Sequence, residues 1–423
     1  MPAVKVLLLG GGGREHAIAW KLSQSPHLTK LWAAPGSDAI AAHAQCVALD
    51  PLDPAAVARF VTDNGVELVF VGPEAPLAAG SSDASRAAGA LVFGPSQFAS
   101  QLETSKAFAK DFMNRHGIPT AKSRACASAA EAKAAAAFFH GRCAVKADGP
   151  AAGKGVVVCG TVAEAGEAVD ALAATAAGRT LVVEERLEGP ELTVMLLVDG
   201  RGCAVLPLSQ DHKRLRDGDQ GPNTGGMGAL SPAPLDPKTW GEIEKTVIAP
   251  TLAGLSKDGI DYRGALYVGV MLTPDGPKVL EYNARFGDPE TQAVLPLLDA
   301  DLLALAANCA AGKLKPGVLP IKSGACVGIT LASPGYPEAP KTGAELDLSG
   351  VSGLDDVLIF HAGTKKISSG WMASGGRVLT VVGRGADLAA ARARAYAAVD
   401  RLKISALQYR RDIAAKALGR ALA

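Results

Sequence analysis

The chain is poor in the features that would mark a nucleic-acid or membrane protein. Aromatic residues make up only 5% of its 423 residues and do not alternate with basic side chains, so no base-stacking platform is indicated. The formal net charge is +1, which gives no global attraction to nucleic acid or to an anionic membrane. No apolar run reaches the ~18–20 residues of a membrane span. The opening MPAVKVLLLGGGG is too short in apolar residues for a signal peptide and lacks a small-residue cleavage pattern. Cys46, Cys126, Cys143, Cys159, Cys203, Cys309 and Cys326 are scattered, with no CxxC and no Cys/His grouping at zinc spacing. They are expected to be free thiols in a reducing, cytoplasmic setting. No Ser/His/Asp or Cys/His constellation points to a protein nucleophile. The balanced charge and the lack of interaction tails point to a monomer.

What the chain carries is alternation. VKVLLLG, LTKLWAAPG, VELVFVG and ALVFGPS are short apolar strands between helical stretches such as REHAIAWKLSQS and DPAAVARFVTDNG. That pattern predicts βαβ units and a parallel sheet. Ligands bind such sheets beyond the carboxyl ends of the strands, where Gly10–Gly13 and the GPEAP loop, Gly72–Pro76, both fall. Residues 101–121 predict one amphipathic helix to Gly117, stopped by Pro119. A small α/β unit follows over about 123–186, then a larger α+β region rich in Gly and Pro to about 310. The last segment, from about 320, holds three strands and an Ala/Arg-rich helix over 386–402.

Four stretches carry chemistry. The first is LLLGGGGREHA. A dinucleotide fingerprint would close with a small third residue and place an acid about 20 residues on. Glu15 or His16 stands at the first position and Ala33–Gly36 near the second, so both checks fail. An anion cradle at a helix start, with Arg14 adding charge, and a plain strand–helix turn both remain. The second is KADGPAAGKGV, which departs from a P-loop in spacing and in lacking Ser or Thr after the lysine. It is either a flap over phosphates, flanked by Lys146 and Lys154, or a solvated hairpin. In the third, PKVLEYN predicts a strand that presents Glu281 and Asn283 on one face. Two hard oxygen donors there suit magnesium, with Arg285 two residues on for an anion; a solvated edge strand is the alternative. The fourth is the long stretch over 209–234, expected to be a functional or disordered loop. Its His212 is an acid–base candidate, an anion-site member beside Lys213 and Arg214, or polar lining. Lys365 and Arg377 follow later strands and, taken singly, are expected at a solvated surface.

Together, GGREHA, VGPEAPL, QLETSKAFAKDFM, KADGPAAGKGV, SQDHKR, GPNTGGMGA, EYNARFGDPETQ, FHAGTK and GGRVL occur in one order. The chain resembles the phosphoribosylamine–glycine ligase (glycinamide ribonucleotide synthetase) family of the ATP-grasp superfamily from about residue 4 to 415. The resemblance implies a multidomain α/β and α+β protein with an ATP-grasp core. Its parts would be an N-terminal parallel-sheet, biotin-carboxylase-like substrate domain (1–103), a central catalytic domain (104–122 and 189–318), a mobile lid (123–188) and a C-terminal α+β domain (319–423). It implies ligation of glycine to 5-phosphoribosylamine with ATP, giving glycinamide ribonucleotide, ADP and phosphate, for purine synthesis.

The family's residues carry over by motif. Lys106, Lys146 and Lys154 would hold the nucleotide phosphates, and Glu184, Glu185, Leu187 and Glu191 the adenosine. Glu281 and Asn283 would bind Mg²⁺ (or Mn²⁺). Gly11, Gly12, Gly13, Arg14, Glu15, Pro73, Glu74, Lys365 and Arg377 would surround the phosphoribosylamine. Asp211, Lys213, Gly225, Gly226, Arg285, Gly287 and Asp288 would line the glycine and acceptor region, with Asp211, Arg285 and Lys154 catalytic. Pro150 and Ser374 depart from the family pattern, at the lid loop and before GGRVL. A different ATP-grasp ligase or a carboxylase subunit, and a non-enzymatic nucleotide module, are the rival readings.

Overall fold

The computed structural model describes residues 3–149, 155–351, 353–404 and 406–420. Strand Val4–Gly10 is apolar nearly throughout because both its faces are covered: Val6, Leu7, Leu8 and Leu9 are fully buried. It pairs in parallel with Leu28–Pro35 on one side and Leu68–Val71 on the other. Gln45–Cys46 and Leu91–Phe93 complete a five-stranded parallel sheet. The helices between are cut at both ends by local chemistry. Pro54–Asn64, for example, has Asp53 accepting the Ala56 N–H at 3.0 Å and Gly65 at φ +59° closing it. GPEAP is not a bare loop: Glu74 opens the short helix Glu74–Ala79, a favourable place for a carboxylate.

The stretch over 101–121 departs from the single helix expected. It forms Gln101–Thr104 and Lys106–Arg115, with Ser105 extended between them. The Ser105 hydroxyl oxygen accepts the Phe108 N–H at 3.1 Å, so the residue works as the cap of the second helix. It also lies 3.3 Å from Asp148, whose other oxygen accepts the Ala107 N–H at 3.1 Å. Asp148 follows the strand Cys143–Ala147, so the start of the second helix is pinned to that unit.

Strands Ser123–Cys126, Leu181–Glu185, Cys143–Ala147 and Val156–Val158 form a small antiparallel sheet in that order. Helices Ala129–Phe138 and Val162–Ala173 pack on it around a separate core that includes Ala135, Val145, Val169 and Val183. The larger central sheet runs Gly276–Asn283, Arg263–Thr273, Glu191–Asp199, Cys203–Val205 and Gly317–Val318. The stretch over 209–234 is built, not open: it contains strands Gln210–Asp211, Arg214–Arg216, Gln220–Asn223 and Gly228–Ser231. Two of these continue a sheet whose other strands are Ala325–Ala332, Arg377–Gly385 and Val357–His361. All seven cysteines are free. Among the described residues no helix is long and apolar enough to cross a membrane.

Candidate active site

A cavity of about 650 Å³ opens where the small antiparallel sheet, helix Lys106–Arg115, the central sheet, the N-terminal sheet and the last domain meet. Strand Gly276–Asn283 supplies one wall. Its two-residue period turns Glu281 and Asn283 into the cavity, as their spacing predicts. Burial alone would raise the Glu281 carboxyl, but Lys213, Lys146 and Lys106 outweigh it and hold the group below its usual range. The Asn283 amide lies 3.5 Å from Glu281, and its oxygen accepts from the Arg285 guanidinium at 3.2 Å. Among the described residues no three His, Cys, Asp or Glu side chains gather as a cation site. The Glu281/Asn283 oxygens fit a small hard divalent cation that takes its remaining ligands from phosphates and water.

The lysines stand opposite. Lys106 opens its helix and donates to the Gly149 carbonyl at 3.3 Å. Burial lowers its pKa, against the pull of Glu281. Lys213 lies 3.5 Å from Asp211 and 4.0 Å from Glu281. Lys146 sits near the end of strand Cys143–Ala147, paired with Glu184 on the next one; Glu184 in turn meets Lys110. Glu184, Glu185, Leu187 and Glu191 line the same end of the cavity, beside the apolar Leu102, Ala109, Met113 and Leu280. Burial raises the Glu191 carboxyl, only partly countered by Lys213. Lys154 and Pro150 lie outside the described residues.

Arginines hold the other end. Arg285 Nε is 3.1 Å from Glu74, its Nη2 is 2.9 Å from Glu103, and its Nη1 donates to the Phe286 carbonyl at 3.1 Å. These carboxylates push the guanidinium pKa up in spite of burial. Arg14 donates to Glu15 at 2.6 Å and to the same Phe286 carbonyl at 3.1 Å. Arg377 pairs with Asp288 at 3.1 Å and donates to the carbonyls of Gly225 at 2.6 Å and Asp288 at 2.8 Å. Burial works to raise the Asp288 carboxyl, but Arg377 and Arg14 carry it below its usual range. Asp211 is different. Burial and Glu290 push it up to about 8, against Lys213 and Arg377. Glu290 lies 3.2 Å from the Thr193 hydroxyl, which is itself 3.0 Å from Tyr267.

The opening glycines do not line the cavity themselves. Gly10 sits at φ +128°, a region that favours glycine, and a Cβ on Gly11 would collide with the Gly36 carbonyl. The Gly12 N–H donates to Glu15 at 2.8 Å, and a Cβ on Gly13 would stand 3.0 Å from Gln292. Arg14, Glu74, Gly225, Gly287, Asp288 and Arg377 line the cavity; Gly11, Gly12, Gly13, Glu15, Pro73 and Gly226 stand behind that lining. Lys365 is exposed on strand Thr364–Ile367 and does not line the cavity. His212 is buried: both ring nitrogens meet backbone, Nδ1 at 3.2 Å from the Gly228 carbonyl and Nε2 accepting the Ala414 N–H at 3.2 Å. Burial lowers it to about 4, and with its ring bound to backbone and outside the cavity lining it is a structural residue and not the acid–base group considered from the sequence.

Several cavity residues have no counterpart in the sequence reading: Lys110, Glu103, Thr193, Tyr267, Glu290 and Tyr336. Lys110 had a signal, since it stands one helical turn beyond Lys106. Glu103, Tyr336 and Thr193 reach the site only through long-range packing.

A parallel-sheet domain, a small antiparallel sheet beside a larger, mostly antiparallel one, and lysines facing a carboxylate–amide pair fit the ATP-grasp class of enzymes. Within it, models of phosphoribosylglycinamide synthetase match in order: the N domain over residues 4–103, the ATP-grasp (A) domain over 104–291 and the C domain over 326–416. The chain belongs to this family. It is 47% identical to the phosphoribosylamine–glycine ligase of Streptomyces coelicolor, covering 98% of this chain and 100% of that one. The crystal structure of phosphoribosylamine–glycine ligase from Thermotoga maritima superposes with a TM-score of 0.83 at 33% identity, covering 97% of this chain and all of that one. The biotin carboxylase domain of 2-oxoglutarate carboxylase from Hydrogenobacter thermophilus shares the fold, with a TM-score of 0.74 at 17% identity over 97% of this chain and 92% of that one.

Proposed function

We propose that the protein joins glycine to 5-phosphoribosylamine at the expense of ATP, forming glycinamide ribonucleotide, ADP and phosphate in purine synthesis. The observation that carries the site assignment is one strand face, with Glu281 and Asn283 aimed at Lys106, Lys146 and Lys213 across the cavity. A carboxylate and an amine do not condense in water, so the glycine carboxylate attacks the γ-phosphate of ATP. The γ P–O bond to ADP breaks and glycyl phosphate forms. The amine of phosphoribosylamine then attacks the glycyl carbonyl, phosphate leaves, and the amine proton departs with it.

Each residue has a role in this reading. The first step brings two anions together, so cationic groups placed in advance lower its barrier. Lys106, Lys146 and Lys154 hold the triphosphate, and the apolar end with Glu184, Glu185, Leu187 and Glu191 takes the adenosine. Glu281 and Asn283 hold Mg²⁺, or Mn²⁺, which supplies charge neutralisation at the phosphates. Arg285 faces the glycine carboxylate, while Asp211, Lys213, Gly226 and Gly287 fix the rest of that small substrate. Arg14, backed by Gly11, Gly12, Gly13, Glu15 and Pro73, turns with Glu74, Gly225, Asp288 and Arg377 toward the phosphoribosylamine. Lys365 reaches that substrate only if its hairpin closes over it. The lid excludes water from the labile acyl phosphate. The protein acts as a cytoplasmic monomer on small molecules, with neither nucleic acid nor membrane as partner. ADP release from ATP and glycine, with and without freshly made phosphoribosylamine, tests this. Release requiring both substrates is expected; release driven by bicarbonate or another acceptor would transfer the protein to a different ATP-grasp reaction.

A further inference from the structure

Three charged groups at the adenosine end form a cluster that the reaction above leaves unexplained. Glu184, Lys110 and Lys146 are all buried, and Glu184 stands between the two ammonium groups. Glu184 and Lys146 belong to adjoining lid strands, whereas Lys110 comes from helix Lys106–Arg115 outside the lid sheet. An ammonium has three N–H donors. Lys110 is ion-paired with Glu184 and is further tied within the protein, donating to the Thr120 hydroxyl at 2.7 Å and the Ala121 carbonyl at 3.4 Å. Lys146 meets Glu184 and donates to the Leu280 carbonyl at 3.3 Å, with no further partner among the described residues. The Thr120 hydroxyl in turn donates to the Val279 carbonyl at 2.7 Å, so both lysines are referred to the strand that carries Glu281.

We propose that Lys110 is a positioning residue that keeps the Glu184 carboxylate compensated, so that Lys146 can leave it for the phosphates of the nucleotide. The inference rests on the reading that ATP binds in this cavity. With a single lysine beside it, a buried carboxylate would be stranded whenever that lysine turned to a ligand, and an uncompensated buried charge is costly. With two, Glu184 keeps a partner in both states. Lys110, anchored to Thr120 and Ala121 as well, is the partner that stays. Lys146, held besides Glu184 by a single carbonyl among the described residues, is the one that moves. Lys110 therefore strengthens triphosphate binding while touching no phosphate.

Direct binding of ATP and of adenosine to the full chain, measured by calorimetry, tests this. Lys110→Met is expected to lower the ratio of ATP to adenosine affinity about tenfold, because Lys146 is then held on Glu184. Lys110→Arg keeps the charge and should keep the ratio. The double variant Lys110→Met with Glu184→Gln removes the charge that detains Lys146, so its ratio should return to the wild-type value. Using the ratio cancels any loss in adenine contact that Glu184→Gln causes by itself. An unchanged ratio in Lys110→Met, or a double variant no better than the single one, would overturn the proposal, since a merely structural role predicts further loss. A soluble Lys110→Met protein that has lost its cooperative unfolding would also count against it, unless Lys110→Arg shows the preserved ratio. Failure of the wild type to bind ATP at all would overturn the ligase reading, and this inference with it.

Discussion

The two ends of the cavity hold their positive charge in different ways. At the substrate end every arginine is committed. Arg285 spans Glu74, Glu103 and Asn283, Arg377 spans Asp288 and Gly225, and Arg14 is tied to Glu15 and Phe286. At the nucleotide end Lys110 is anchored beside Glu184, but the lysines assigned to the phosphates are held more lightly: Lys106 touches a carbonyl at 3.3 Å and Lys146 meets Glu184 and one carbonyl, also at 3.3 Å. A guanidinium is planar with five fixed donors, so it can brace several elements and still face a ligand; an ammonium is a mobile point charge. The arginine end is a scaffold set before substrate arrives, and the lysine end adjusts to what enters.

That contrast can be broken most severely at Arg285. Arg285→Ala strands Glu74 and Glu103, and is expected to cost about 3–5 kcal/mol of stability as well as activity. Chemical denaturation checks it, and Arg285→Lys should recover little because one ammonium cannot span the same partners. Next comes Glu281→Ala, expected to lower ligase turnover by about 10²–10³-fold with the fold intact. Turnover at limiting Mg²⁺ measures it, and a wild-type rate there would remove Glu281 from the metal assignment.

Acid should loosen the scaffold end. His16 follows Arg14 and Glu15 and accepts the His361 N–H at 2.9 Å. Burial, then His361 and His43, lowers it from 6.5 to about 3. The unfolded chain takes up this proton below pH 6.5 while the folded protein resists to about 3, so stability drops as pH falls through that window. One unit below 6.5 the loss is about 1.4 kcal/mol from His16 alone, and a smaller drop in denaturation midpoint in His16→Gln between pH 7.5 and 5.5 would show it. The smallest stability effect belongs to the lysine end. Lys106→Met should change stability by less than about 0.5 kcal/mol while raising KM for ATP about tenfold. A variant that unfolds early would make Lys106 a scaffold residue too.

The parallel sheet and the Glu281/Asn283 face were legible because each follows from a short repeating pattern: buried strands between helices, and a period of two. The break at Ser105 was not, since a serine inside an amphipathic run becomes a cap only when something, here Asp148, meets the exposed helix start. The 209–234 stretch resembled an open loop because its strands are only two to four residues long, and one of them, Gly228–Ser231, finds its outer partner in the distant strand Ala325–Ala332. His212 could be read as an acid–base group, as an anion-site member beside Lys213 and Arg214, or as polar lining; its ring is spent on the backbone of Gly228 and Ala414. The four glycines pointed to a ligand; at Gly10 and Gly11 the demand comes from backbone conformation and from the Gly36 carbonyl.

The sheet that joins Gln210–Asp211 and Gly228–Ser231 to Ala325–Ala332 also bears on modularity. The segment bearing Asp211, Lys213 and Gly225 is stitched by main-chain hydrogen bonds to strands from the far end of the chain, and Tyr336 fastens it again by accepting the Gly225 N–H at 2.9 Å. A gene cut after the central sheet would therefore not yield a portable nucleotide-binding cassette. It would leave Gly228–Ser231 as an unpaired edge and the acceptor wall without a support. Swapping the last domain between relatives to retune substrate choice requires transplanting residues 209–234 with it.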